Sequence, residues 1–144
     1  MNGSQTSDIL NRILTLHERS LPAYLSYAAP WEIAKEPQVA AVIAQIVDDH
    51  KRTVDRLAKL ILENHDVVDN GEFPMSFTSL HDLSVDYLLK QVIDRQRKMI
   101  SVLAKLADML ATAPYAQAAA REALGEAKGH LENLEEVARH PADA

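Results

Sequence analysis

The stretch PQVAAVIAQIVDDHKRTVDRLAKLILENH, residues 37–65, decides the fold class. Pro37 suits the first position of a helix, because its fixed φ is helical and the donor it lacks would be unpaired there anyway. From it, Val39, Val42, Ile43, Ile46, His50, Thr53, Leu57 and Leu60 recur at steps of three and four residues. That is one apolar stripe of a helix with a 3.6-residue period. Asp48, Asp49, Lys51 and Arg52 fall beside the stripe and read as a solvated face with local ion pairs.

Three more segments carry the same pattern. Residues 8–28 show Leu10, Leu14, Leu21 and Leu25, with Thr6 or Ser7 as the cap and Pro30 as the stop. Pro22 lies inside this helix and predicts a kink, since it removes one amide donor and crowds the carbonyl of Glu18. A third helix starts near Leu80, where Ser79 and Asp82 resemble a capping box. Its stripe is Leu89, Val92, Gln96, Met99, Leu103, Leu106 and Leu110. Pro114 opens the fourth and Pro141 closes it, and its stripe runs through Ala116, Ala120, Ala123, Ala127, His130, Leu134 and Val137. Gly125 and Gly129 in that helix suggest a close helix approach, within the bundle or to another subunit.

Four one-sided helices must bury their stripes against one another, which predicts an all-α four-helix bundle. The connection over residues 66–79 is long and carries Phe73, Met75 and Phe77 after the turn residues Asp69, Asn70 and Gly71. Extended, it reaches at most about 45–50 Å. That suffices to travel the length of the bundle and start the third helix parallel to the second. The apolar residues favour this crossover over a compact loop with up-down-up-down topology, because a segment laid along the bundle needs side chains that pack.

With 144 residues, one domain over residues 1–144 is expected. The formal charge of −6 argues against a nucleic-acid partner. The absence of cysteine excludes disulfides and thiolate metal sites. Residues 1–7 lack the basic and apolar regions of a signal peptide, and the longest nearly apolar stretch, residues 39–47, is too short to span a membrane. A cytoplasmic protein without a membrane partner is the expectation.

What interrupts the stripes carries the chemistry. Glu18, His50, Gln96 and His130 each stand well inside a helix, and four buried polar groups are costly unless they are paired or bind a metal. In helix number, lengths and long central connection the chain resembles the ferritin-like di-metal carboxylate proteins. These present one Glu from each of two helices and a Glu-x-x-His motif from each of the other two. Under that resemblance Glu18 matches the lone carboxylate of the first helix and His130 the His of the fourth. Ala127, His50, Thr53 and Gln96 depart from the motif at the remaining positions, which argues against an ordinary ferroxidase centre or a storage cage.

The residues themselves supply a carboxylate and two imidazoles, Glu18, His50 and His130, a set suited to one Fe(II), Mn(II) or Zn(II) ion. Gln96 would add a weak ligand or orient one. His17 is an understudy ligand, more commonly a helix-boundary residue. The competing expectation is a metal-free hydrogen-bonded cluster that fixes helix register. The protein would then be an interaction or regulatory module, with a homodimer formed through an exposed helix face.

Overall fold

The computed structural model describes residues 2–28, 31–80 and 83–139, with residues 31 and 32 described by backbone alone. Among these residues there are six α-helices and no strand: α1 (Gly3–Glu18), α2 (Leu21–Ala28), α3 (Trp31–Ala34), α4 (Pro37–Glu63), α5 (Val85–Asp108) and α6 (Pro114–Arg139). None is long and apolar enough to cross a membrane. Pro30, Asp82 and Pro141 lie outside the described residues.

Helix boundaries differ from the expected ones for local reasons. The first helix starts at Gly3, because Asn2 and Gln5 form a capping box in which each side chain accepts the other's backbone N–H, at 2.8 and 3.0 Å. Thr6 and Ser7 are therefore inside the helix and buried, not its caps. The expected kink is a full break. α1 stops at Glu18, and Ser20 starts α2 by accepting the Ala23 N–H on its hydroxyl and the Tyr24 N–H on its carbonyl. The lost Pro22 donor is thereby placed in a first helical turn, where it has no partner to lose. The third long helix, α5, starts at Val85 with Ser84 as its cap, while Met75–Leu80 forms a 3-10 turn that buries Phe77 and Leu80.

Two apolar clusters fill the interior and fix the helix directions. One joins Ile13 and Leu14 of α1, Leu57 and Ile61 of α4, Leu103 and Leu106 of α5, and Ala116 and Ala120 of α6. The other joins Leu21 and Leu25 of α2, Val39 and Ile43 of α4, Leu88 and Val92 of α5, and Leu134 of α6. The first half of α4 thus shares an end with the first half of α5, so the two run parallel, and α1–α2 runs parallel to α6. α4 packs on α1 and α6, and α6 on α5, while α1 and α5 meet less closely.

The segment between α4 and α5 returns along α1. Asn11 exchanges hydrogen bonds with Val67 and Asp69, Thr15 donates to the Asp69 carbonyl, and Arg19 donates to the carbonyls of Asn70 and Gly71. Phe73 then packs edgewise and Phe77 at a tilt on Tyr24, with ring centroids 5.3 and 5.4 Å away. Gly71 has φ +63°, and a Cβ there would fall 2.5 Å from Thr15 Cγ2. Both the backbone and the space demand glycine. Gly71→Ala is therefore expected to destabilise by more than about 1 kcal/mol in urea unfolding.

Gly125 and Gly129 behave differently. A Cβ at either would meet nothing within 4 Å, which overturns a close approach within the fold. With open space and helical backbone, Gly125→Ala and Gly129→Ala should each stabilise by about 0.5–1 kcal/mol. Thermal melts of the two single variants check this, and a loss of stability would show that another chain covers the face.

A candidate metal centre in the polar layer

Between the two apolar clusters lies a buried polar layer, one residue from each arm: His17, His50, Gln96 and His130, at 2%, 4%, 3% and 5% exposure. Three of the expected residues are present. The inward position of α1, however, belongs to His17 rather than Glu18, because Leu10, Leu14, His17 and Leu21 continue the steps of four, three and four. Glu18 lies about 100° further round the helix and is half-buried.

The three imidazoles form a row. The His17 and His50 ring centroids are 4.8 Å apart and those of His50 and His130 5.7 Å apart, both edgewise. Each ring is held from one side. His17 Nδ1–H donates to the Ile13 carbonyl at 2.8 Å, His50 Nδ1 pairs with Ser20 Oγ at 3.2 Å, and His130 Nε2–H donates to Asp49 Oδ2 at 2.7 Å. His50 Nε2 and His130 Nδ1 are buried with no hydrogen-bond partner. A buried nitrogen left so is costly unless something fills the gap. Gln96 is used otherwise, its Nε2 donating to the Ala127 carbonyl across α5 and α6 at 3.0 Å.

Asp49, read from the sequence as part of a solvated face, turns inward instead. Its side chain is 13% exposed and bonds to His130, Gln45 and Arg52. Among the described residues, Asp49, Glu126 and His130 form a group whose donor atoms all lie within 4.8 Å of one another. Of the expected ligands Glu18, His50, His130 and Gln96, this group contains His130 alone; His50 stacks beside it, and Glu18 lies on the far side of the row, at a cavity with His17 and His50. Two signals for the missed pair stood in the sequence. Glu126 and His130 are four apart on one helix face, and Asp49 lies one residue from His50.

The charges of the site are strained against one another. Burial raises the Glu126 carboxyl above its ordinary value, the neighbouring Asp49 charge adds to this, and His130 and Arg52 only partly offset it. Burial also acts to raise Asp49, yet the hydrogen bonds from His130 and Gln45 and the nearby cations hold it below the usual range. Burial lowers His17 to about 4, although its bond to the Ile13 carbonyl opposes the shift, and lowers His50 well below the ordinary imidazole value.

No protein-family model, curated protein or solved structure matches this chain.

His17 makes the fold pH-dependent, with a sign set by its depressed value. Above the unfolded value of 6.5 both states are neutral at this ring; between 6.5 and about 4 only the unfolded chain takes up the proton. Stability is therefore fully present above about pH 6.5 and falls as the pH drops toward 4, by roughly 3 kcal/mol for this one group, and His50 adds a loss of the same sign. Urea midpoints taken at about pH 7 and pH 4.5 should show this fall, and His17→Leu should make it shallower.

Proposed function

We propose that the protein is a ferritin-like four-helix bundle that binds one divalent transition-metal ion through His130, Asp49 and Glu126 in its polar layer. The observation that carries this is the convergence of two carboxylates and a buried imidazole within 4.8 Å, with the Glu126 carboxyl raised by burial and further by the Asp49 charge. A cation placed among them would relieve that repulsion. One nitrogen and two oxygen donors suit Fe(II), Mn(II) or Zn(II), with coordination positions left for water or a further ligand. His50, whose ring stands 5.7 Å from that of His130, and Glu18 beyond it are the expected ligands left in reserve. The parallel α4 and α5, joined by a strap along α1, are what a ferritin-like crossover requires.

Metal content by mass spectrometry, on untagged protein loaded anaerobically with Fe(II), Mn(II) or Zn(II), tests the proposal. The expected result is about one ion per chain, bound more tightly as pH rises because the ligands must lose their protons. Glu126→Gln and His130→Ala should each weaken binding by about tenfold or more. Retention of metal in both variants, with loss in Glu18→Ala, would move the site to the Glu18 side of the histidine row. No bound metal in any loading would reject the proposal.

The engagement of Asp49 by His130, Gln45 and Arg52 favours a second reading, a metal-free cluster in a bundle that serves as an interaction or regulatory module. In that case replacing Asp49, Glu126 and His130 together by apolar residues should leave stability unchanged or raise it.

A further inference from the structure

A cavity of about 620 Å³ lies between the α1–α2 arm and α4, and Asp49, Glu126 and His130 do not line it. Its buried floor holds His17 and His50, with Glu18 beside them, while Val47 and Phe73 supply apolar wall. The exposed Lys51 and Asp55 and the half-buried Arg19 also border it, so its opening carries both signs of charge.

The floor offers acceptors. Because the His17 Nδ1–H is committed to the Ile13 carbonyl, the neutral ring keeps its lone pair on Nε2. Glu18 Oε2 is buried and accepts from no donor, and His50 Nε2 is likewise buried without a partner. A lone pair and a carboxylate oxygen at the end of an apolar hole repel an anion and leave a neutral hydrocarbon with unsatisfied polar neighbours. A group with several N–H donors and a positive charge satisfies both. Arg19 already stacks on Phe73, 4.9 Å from its ring centroid, which shows that this wall tolerates a cation.

We propose that this cavity binds a small primary ammonium ion, its head group donating to His17 Nε2 and Glu18 Oε2 and its hydrocarbon portion lying against Val47 and Phe73. The site lies outside the group of Asp49, Glu126 and His130.

Isothermal titration calorimetry with n-pentylammonium, and with 1-pentanol as the uncharged control, tests this. The ammonium ion should bind saturably at one per chain and the alcohol should not. Glu18→Gln, which keeps the shape and removes the charge, should weaken binding about tenfold or more. Ala23→Leu, which narrows the cavity without touching its floor, should weaken it as well, with circular dichroism confirming that both variants fold. Glu126→Gln should leave the affinity unchanged, so that failure of the metal centre and failure of this site are told apart. Absence of saturable binding, equal binding of the alcohol, or unchanged affinity in Glu18→Gln would overturn the proposal. So would displacement of pentylammonium by Zn(II) in the Glu126→Gln protein, which would make the cavity a metal site.

Discussion

The structure depends on how four arms bury one polar residue each at the same level. His17, His50, Gln96 and His130 interrupt what would otherwise be one continuous apolar interior and divide it into two clusters. A shift of any arm by one turn would set an imidazole against leucines and a leucine against imidazoles. Such a mismatch costs more than the gain from a slightly better apolar fit, because an unpaired buried polar group loses its water without compensation. The layer thus ties the register of all four arms to a single plane, and the chemistry of the molecule gathers where the register is fixed.

Around that layer the polar groups divide by side. On the α6 side, His130 meets Asp49 and Glu126, and the environment is rich in negative charge. On the α1 side, His17 and His50 are held neutral by burial, and Glu18 lines their cavity. His50 touches both neighbouring rings. His50 thus stands between the two sides of the layer.

The helices were legible because their apolar stripes are long and their stop signals strong; α4 begins at Pro37 and α6 at Pro114, as their prolines indicate. What was not legible came from contacts that no local pattern encodes. The start of α5 moved from Leu80 to Val85 because Phe77 and Leu80 are drawn into the core by the returning strap, leaving Ser84 to cap. In the site, His50, Gln96 and His130 are legible because each is a polar residue that breaks an apolar stripe. Asp49 escaped because it sits beside the stripe and becomes inward-facing only through α6, 81 residues away. His17 and Glu18 were exchanged because adjacent residues differ by about 100° on a helix, and the break after Glu18 blurred the phase that Leu10, Leu14 and Leu21 set.

The strap along α1 also ties distant parts of the sequence together. Its hydrogen bonds to Asn11, Thr15 and Arg19 all span 51 to 58 residues of sequence. Closing so long a loop from an open chain is entropically costly, but much less so once α1 and α4 lie side by side and bring residue 63 back beside residue 3. The strap can therefore close cheaply once α1 and α4 are paired, and by joining the end of α4 to the start of α5 it sets those two helices parallel.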